Sequence, residues 1–162
     1  MNKEEIYLEL NDIEWPFTYI DHDRQIARAI VYDNNGFFYF VRVNRNDDFG
    51  KGIYIETSGG GVEKDETPEE TIIRELKEEL GVNAKIVTKI GVISDYYNLI
   101  HRHNINNYYL CKIESFTNKN LTKEEKEEWK LSTLKLTYDE AIKEYELSTK
   151  YKLGRLIYNR EI

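Results

Sequence analysis

Two apolar segments on either side of an Asn-Gly pair carry the first clear pattern in the chain. Residues 25–32 are rich in Ala, Ile and Val, and residues 37–43 combine aromatic and β-branched side chains. Asn35-Gly36 lies in the polar stretch between them. An Asn-Gly turn between two such runs predicts a β-hairpin.

The second half of the chain predicts more strands and then helices. Residues 84–94 and 107–115 have β-type patterns and predict two strands, joined by a polar loop over residues 96–107. The segment 137–147 predicts a helix, and part of 149–158 is expected to be helical as well. This mixed order of strands and helices is typical of an α+β fold with a mixed sheet.

A central helix is predicted from Pro68 to Leu80. Thr67 is a suitable N-cap, Pro68 suits the first helical position and Gly81 is a usual C-terminal residue. At 100° per residue, four apolar side chains fall within an arc of about 100° and predict the core-facing stripe. These are Ile72, Ile73, Leu76 and Leu80.

Three glutamates form a ridge along one edge of this apolar stripe. Glu75, Glu78 and Glu79 are spaced i, i+3 and i+4, so their carboxylates lie close together. One interpretation is an exposed helix face in which Arg74 and nearby lysines offset the charge. The other is a site for a hard divalent cation, because carboxylate oxygens suit Mg²⁺ or Mn²⁺.

Residues 1–23 read as a separate N-terminal arm, and residues 24–162 as one domain. In the arm, the alternating pattern around Ile6 suits a strand or a loose arm, and Trp15-Pro16-Phe17 interrupts it. Trp15 and Phe17 are expected to pack the arm onto the domain or onto a partner subunit. The chain length of 162 residues agrees with a single domain and an extension.

Composition and charge narrow the classes of function. The formal net charge is −7, with no basic cluster, which argues against binding to a nucleic acid polymer. The single cysteine, Cys111, excludes an internal disulfide framework and is expected to be a small core residue. No apolar run is long enough for a membrane span or a signal peptide, so we expect a cytoplasmic protein, monomeric or homodimeric.

The stretch GGGVEKDETPEETIIRELKEELGV, residues 59–82, resembles the signature sequence of the Nudix hydrolases. That pattern is a glycine, five residues, a glutamate, seven residues and R-E-U-x-E-E-x-G-U, where U is apolar. Every specified position matches, from Gly60 and Glu66 through Arg74 to Val82. The resemblance implies a Nudix-type α/β/α sandwich with a mixed β-sheet and a catalytic loop–helix–loop.

The resemblance also implies a pyrophosphohydrolase that needs a divalent metal. Its substrate would be a small nucleoside diphosphate linked to another group: a nucleoside triphosphate, another NDP-X compound or a dinucleoside polyphosphate. The ADP-sugar subclass is disfavoured, because its members tend to carry a proline after the signature and this chain has none after Pro68. Glu75, Glu78 and Glu79 would hold Mg²⁺ or Mn²⁺, and one of them would orient or deprotonate the attacking water. Arg74 would steer a glutamate of the ridge, and Glu66 would brace the loop before the helix.

Further site residues are implied less directly. Gly60 and Gly61 would let the backbone approach the diphosphate, and Tyr97 is a candidate substrate contact. The segment before Trp129 resembles an acidic region of the family, so Glu124, Glu125 and Glu128 are candidates for an extra metal ligand, with Glu125 preferred. A solvated charge run is the competing interpretation for each of them.

Several alternatives stay open. The loop containing His101, Arg102 and His103 is either a phosphate contact or a plain surface loop. Four aromatic residues are candidates for stacking on a base or for ordinary packing, namely Phe49, Tyr54, Tyr96 and Tyr97. Because a fold does not fix a function, the alternative to an enzyme is a non-catalytic nucleotide-sensing domain.

Overall fold

The structure, a computed structural model, describes residues 5–122, 124–128 and 131–161. These residues form one sheet of eight strands. The strands are β1 (Ile6–Leu10), β2 (His22–Tyr32), β3 (Phe38–Asp47), β4 (Gly50–Glu56), β5 (Ser58–Gly61), β6 (Val82–Tyr97), β7 (Arg102–Phe116) and β8 (Ser132–Leu136). The α-helices are α1 (Pro68–Glu75), α2 (Tyr138–Ser148) and α3 (Lys152–Glu161).

The sheet is mixed, with the order β1-β6-β7-β2-β3-β4; β5 also pairs with β2, and β8 with β3. The long strands β2 and β7 run parallel, whereas β6 and β7 run antiparallel. Within the N-terminal segment, β1 adds a parallel edge strand to β6, with Ile6 beside Gly91. Residues 6–10 therefore lie on the same sheet as the rest of the chain.

The predicted hairpin is confirmed. Val31 pairs with Tyr39 and Tyr32 with Phe38 in the antiparallel β2–β3 ladder. The Asp33 carboxylate stabilises the turn, because its Oδ1 accepts from the backbone N–H groups of Asn35 and Phe37 at 2.8 and 3.1 Å. Such side-chain-to-backbone bonds are the usual reason for aspartate in a turn.

The polar loop predicted over residues 96–107 is wrong. The strand β6 continues to Tyr97 and β7 begins at Arg102, so that only the 3₁₀ turn Asn98–Ile100 and His101 connect them. Residues 102–107 are polar in sequence but pair with β6 on one side and β2 on the other. Backbone pairing on both sides outweighs the low β-propensity of the asparagines here.

Two apolar cores lie on opposite faces of the sheet. On β3, Val41 and Val43 belong to the core that packs against α1, whereas Phe40 belongs to the core under α2 and α3. Alternate side chains of a strand point to opposite faces, so β3 contributes to both cores. Helices therefore cover both faces, and the predicted α/β/α arrangement with a mixed sheet is confirmed. Cys111 lies in the first core, fully buried as expected.

The central helix is not α-helical throughout. It runs as α1 to Glu75 and continues as a π-helical segment, Leu76–Leu80, ending at Gly81 with φ 65°. An i→i+5 turn rotates the following residues relative to α-helical spacing. Thr67 accepts from the Glu70 N–H and caps the helix as predicted.

The prediction is wrong for one residue of the apolar stripe, Ile73. Ile73 is 40% exposed, whereas Ile72, Leu76 and Leu80 are buried. Thr71 is buried in its place. The contact face is thus centred on Ile72 and Leu76, and Ile73 at its edge is turned away from the sheet.

Candidate functional site

A cavity of about 540 Å³ lies between the central helix, the glycine strand β5 and the ends of several strands. The glutamates of the central helix line one side of it, and arginines of the sheet line another, which we call the basic side. The acidic lining residues are Glu56, Glu63, Glu75, Glu78, Glu79 and Glu125. The basic ones are Arg24, Arg28, Arg45, Arg74 and Arg102.

Glu79 is fixed at the cavity by the strand β5. Its Oε1 accepts hydrogen bonds from the Ser58 hydroxyl and the Gly59 N–H, both at 3.0 Å, and the residue is 5% exposed. Burial raises the pKa of Glu79 well above its usual range, and the charges of Glu75 and Glu125 raise it further. This carboxylate is therefore held in place where its negative charge is poorly compensated.

Glu75 lies directly over Gly60. A Cβ atom added at Gly60 would be 2.5 Å from Glu75 Oε1, so the missing side chain makes room for the carboxylate. Burial raises the pKa of Glu75 to about 7; Arg74 opposes this shift, and Glu78 and Glu125 add to it. The glycine strand thus contacts two of the three ridge carboxylates, Glu75 and Glu79.

Arg74 connects the ridge to the loop that precedes the helix. Its Nε and Nη2 donate to Glu66 at 2.8 and 3.0 Å, a two-bond pairing of guanidinium and carboxylate. Its Nη1 donates to Glu75 Oε1 at 2.9 Å and to Glu78 Oε2 at 3.2 Å. The Arg74 hydrogen bond is the main reason that the pKa of Glu66 falls to about 2.

The ridge and Glu125 supply oxygen ligands of the kind that hard divalent cations prefer. Glu125 lies in a short π-helical segment, Glu124–Glu128, and lines the cavity. Its Oε1 accepts from the Thr122 N–H at 2.9 Å. The side chains of Glu124 and Glu128, and all of Trp129, lie outside the described residues.

The carboxylates fit a cation, although not in their present positions. Within the described ranges, no three Asp, Glu, His or Cys side chains stand close enough together to hold a metal ion as they are. Arg74 contacts one oxygen of Glu75 and one of Glu78, so the second oxygen of each carboxylate has no contact with Arg74. Burial raises the pKa values of Glu75 and Glu79 most, and mutual repulsion raises them further; a bound cation would relieve this repulsion.

Tyr97 lies on the basic side of the cavity but is only 5% exposed. Its hydroxyl accepts from Arg160 Nη1 at 2.7 Å. The Arg102 guanidinium carbon lies 5.1 Å from the centre of its ring. The ring is therefore held between two arginines and forms part of the cavity wall.

A buried ionic network supports this wall from behind. The Arg160 side chain is fully buried and lies 3.6 Å from Asp95 Oδ2 and 3.8 Å from Glu56 Oε1. On the cavity wall, Arg28 Nε donates to Asn106 Oδ1 at 3.0 Å. Burying this many charges is favourable only when each has partners, as most have here.

The other sequence candidates divide between the cavity and elsewhere. Arg102 lines the cavity, but its neighbours do not: His101 stacks on Tyr19, and His103 stacks on Tyr96. His103 also contacts Asp23 and Ser94 on the opposite side of the sheet from Arg102. Tyr54 is a core residue, 2% exposed.

Trp15 and Phe49 pack together rather than standing free. Their ring centres are 5.3 Å apart, and Phe49 in turn lies edge-on to Tyr97 at 5.3 Å. The packing expected for Trp15 is thus found, and it reaches the wall of the cavity. Phe17 is 67% exposed.

Sequence reasoning missed most of the basic side. Arg24, Arg28 and Arg45 were not singled out, although Arg28 interrupts a buried apolar run of β2. Positions 24, 26 and 28 lie on one face of that strand, and this period of two was the available signal. No local pattern marks Arg160, because its partners other than Glu161 lie far away in sequence.

The chain matches the model of the NUDIX domain over residues 22–153. This span is most of the chain, and the chain therefore belongs to the Nudix family. A relative by sequence is the 8-oxo-dGTP diphosphatase of Escherichia coli, 38% identical over 58 residues. That match spans 36% of this chain and 43% of the relative, so the chain matches less than half of that protein's length.

Solved structures show the same fold at low identity. A NUDIX hydrolase from Nitrosomonas europaea superposes with a TM-score of 0.63 and 14% identity, covering 76% of this chain and 78% of that one. A MutT NUDIX hydrolase from Burkholderia pseudomallei gives a TM-score of 0.60 and 18% identity, with 74% and 87% covered. The fold expected from the signature sequence is confirmed.

Two further findings concern metal ions and membranes. Nudix hydrolases generally use divalent metal cations. Among the described residues, no helix is both long and apolar enough to cross a membrane.

Proposed function

We propose that this chain hydrolyses a phosphoric anhydride bond of a small nucleotide and requires Mg²⁺ or Mn²⁺. The observation that carries the proposal is the shared cavity of Glu75, Glu78, Glu79 and Glu125 with the glycine strand. The name of the E. coli relative, an 8-oxo-dGTP diphosphatase, supports a nucleotide substrate with a diphosphate to cleave.

The four glutamates are the proposed metal ligands. A bound divalent cation would neutralise the diphosphate and help to activate water. Glu75, Glu78 and Glu79 are also the candidates for orienting or deprotonating that water. Arg74 is the positioning residue, because its Nη1 donates to Glu75 and Glu78 while its Nε donates to Glu66.

Gly60, Gly61 and Tyr97 are proposed to contact the substrate. Gly60 and Gly61 present backbone to the cavity without side chains, so that a diphosphate can approach closely. Tyr97 is a wall contact through its ring, since its hydroxyl is already bonded to Arg160. A cytoplasmic location, a monomer or homodimer, and no role in binding nucleic acid polymers remain predictions.

A panel of nucleotides tests the proposal. The wild-type chain is incubated with Mg²⁺ or Mn²⁺ and with nucleoside triphosphates, NDP-sugars and dinucleoside polyphosphates, and the products are separated by ion-exchange chromatography. Glu78→Gln and Glu79→Gln are expected to lower turnover at least 100-fold with the fold retained, which circular dichroism checks. Glu70→Gln on the same helix, an exposed residue away from the cavity, is the matched control.

The alternative is a nucleotide-sensing domain without catalysis on the same fold. It predicts nucleotide binding without products across the whole panel, with both metals. Measurable turnover that depends on Glu78 and Glu79 contradicts the sensor and supports the enzyme.

A further inference from the structure

The basic side of the cavity holds more positive charge than its neighbours balance. Arg74 has four glutamates around it, and Arg45 pairs with Glu56 at 3.4 Å. Within the described part of the chain, Arg24 has neither a hydrogen bond nor an ion pair, and Arg102 has no ion pair. Arg28 also has no ion pair within the described residues, but its Nε donates to Asn106 Oδ1. Arg24 and Arg102 are therefore the two arginines of the cavity whose charges are least balanced.

Arg24 and Arg102 lie on one face of neighbouring strands. In the parallel β2–β7 ladder, His22 is beside Arg102 and Arg24 is beside Asn104. The two arginines are thus diagonal neighbours, close enough for long side chains to share a ligand. The like charge of Arg24 adds to burial in lowering the pKa of Arg102 to about 10.

Buried polar atoms near this pair also lack partners. Arg102 Nε is buried with no hydrogen-bond partner among the described residues. Asn104, fully buried next to Arg102 on the same strand face, has neither Oδ1 nor Nδ2 bonded within the described residues. Buried groups of this kind are normally satisfied by water or a ligand.

A second cavity, of about 260 Å³, adjoins the first at these arginines. Arg24, Arg45, Tyr97 and Arg102 line both cavities. The second cavity extends away from the glutamate ridge towards Phe49 and Leu153, and its lining includes one carboxylate, Asp48. A ligand on the ridge can therefore reach the two unbalanced arginines with its next group.

We propose that Arg24 and Arg102 bind a second phosphate group of the substrate, beyond the diphosphate held at the glutamate ridge. Guanidinium groups pair with phosphate oxygens through two bonds, and both charges here are free to do so. The proposal rests on the proposed function for the identity of the ridge ligand. It adds that the substrate is more highly phosphorylated than a nucleoside diphosphate linked to a neutral group.

The second phosphate has two possible sources, and two pairs of nucleotides distinguish them. AMP and adenosine 3′,5′-bisphosphate differ by a phosphate on the sugar, and neither contains an anhydride bond. Their dissociation constants are measured by isothermal titration calorimetry in Mg²⁺, so this arm needs no catalysis. ADP and ATP differ by a phosphate in line, and their kcat/KM values are compared.

The wild type is expected to prefer the more phosphorylated member of at least one pair about tenfold, the effect of a charge-assisted contact. Arg24→Gln and Arg102→Gln should bring that ratio close to one, and Arg24→Lys should retain part of it. Arg42→Gln, an exposed arginine of β3 outside both cavities, is the control and should leave the ratio unchanged. Thermal melts verify that each variant is folded.

The result identifies the source of the phosphate or overturns the proposal. If the Gln substitutions abolish the preference only between AMP and adenosine 3′,5′-bisphosphate, the second phosphate lies on the sugar. If they abolish it only between ADP and ATP, the second phosphate lies in line. Ratios near one for both pairs in the wild type, or ratios that survive both Gln substitutions, overturn it. Failure of the proposed function gives a different result: no nucleotide is hydrolysed, while the dissociation constants of the AMP pair still differ.

Discussion

The Glu161 carboxylate, near the C-terminal end of α3, accepts a hydrogen bond from the Thr57 hydroxyl at 2.8 Å. Thr57 lies between β4 and β5, and the next residue, Ser58, donates to Glu79 of the ridge. The second oxygen of Glu161 accepts from the Tyr108 hydroxyl at 2.7 Å. The last helix, much of which lies beyond the segment that matches the family, therefore fixes the strand that holds a ridge carboxylate.

Replacing Glu161 is expected to destabilise the whole domain. Glu161→Gln removes the charge that faces buried Arg160, and its amide NH₂ replaces a carboxylate oxygen that accepts from the Thr57 or the Tyr108 hydroxyl. The free energy of unfolding should fall by about 3 kcal/mol, the usual cost of breaking a buried ion pair. Urea denaturation measures the change.

The matched control is Glu146→Gln in α2. Glu146 is an exposed glutamate of a neighbouring helix, and its substitution should change the free energy of unfolding by less than about 0.5 kcal/mol. Equal effects of the two substitutions would show that the contact between Thr57 and Glu161 is not a main support of the fold.

Glu66 should make the stability of the protein depend on pH in the acidic range. Its pKa is about 2 in the folded protein, below the usual value of 4.5, because Arg74 and Thr71 bond to the carboxylate. Its contribution is present above pH 4.5 and is lost as the pH falls towards 2. The wild type should therefore lose more stability over this range than Glu66→Gln.

Denaturation curves at pH 7, 4.5 and 3 measure this difference. At pH 7 the Glu66→Gln variant should be less stable than the wild type by about 1–2 kcal/mol, and the gap should narrow at pH 3. The exposed Glu70 provides the control substitution, Glu70→Gln, which should follow the wild type. A gap that is independent of pH contradicts the role of the Glu66 charge.

The acidic half of the site was predictable from sequence because it is local. Glu75, Glu78 and Glu79 lie within five residues of one helix, and the glycines precede them by a fixed spacing. Helical geometry then brings the three side chains to one edge, even though the last turn proved to be π-helical. The hairpin at Asn35-Gly36 was predictable for the same reason.

The basic half was not predictable, because the sheet assembles it. Arg24 and Arg102 are far apart in sequence and meet only through the parallel β2–β7 pairing. The polar composition of residues 102–107 predicted a loop, so Arg102 was a candidate phosphate contact in that loop and not the strand neighbour of Arg24. Arg160 reaches Tyr97 only once α3 has packed on the sheet, which no periodicity of the sequence reveals.

Removing one ridge charge should stabilise the protein while weakening its response to metal. The folded-state pKa of Glu79 is raised, so keeping this carboxylate ionised at neutral pH costs folding free energy. Glu79→Gln keeps an acceptor for Ser58 and Gly59, and it should raise the metal-free stability by about 1 kcal/mol. Its melting temperature should no longer rise with Mg²⁺.

Thermal melts without Mg²⁺ and with about 10 mM Mg²⁺ measure both effects. This concentration exceeds the dissociation constants of weak oxygen-ligand sites. The wild type should melt higher with Mg²⁺, by RT ln(1 + [L]/Kd) in free energy. Glu70→Gln is again the control and should behave as the wild type. An undiminished Mg²⁺ shift in Glu79→Gln would remove Glu79 from the proposed ligand set.

The two glycines beside the ridge should differ in what their substitution disturbs. A Cβ at Gly60 meets Glu75 Oε1 at 2.5 Å, whereas one at Gly61 meets Arg24 Nη2 at 2.8 Å. Both neighbours are the ends of side chains, so both alanine variants should fold. Gly60→Ala should displace the carboxylate and lower kcat/KM at least tenfold, because small displacements of a catalytic group are costly.

Gly61→Ala should instead displace the Arg24 guanidinium. We expect it to reduce the preference for the more phosphorylated nucleotide more than it reduces turnover of the less phosphorylated one. Steady-state kinetics on ADP and ATP compare the two variants directly. Identical profiles for Gly60→Ala and Gly61→Ala would contradict the separation of the carboxylate and guanidinium sides.

Tyr97 allows its hydroxyl and its ring to be tested separately. Tyr97→Phe leaves buried Arg160 Nη1 without its 2.7 Å acceptor and should lower the free energy of unfolding by about 1–3 kcal/mol. The ring that Arg102 covers remains, so the KM for a nucleotide should change less than threefold. Tyr97→Leu removes the ring as well and should raise KM about tenfold.

Urea denaturation and steady-state kinetics on the same samples separate the two roles. Equal KM values for the Phe and Leu variants would mean that the ring is only part of the fold, and that Tyr97 does not contact the substrate.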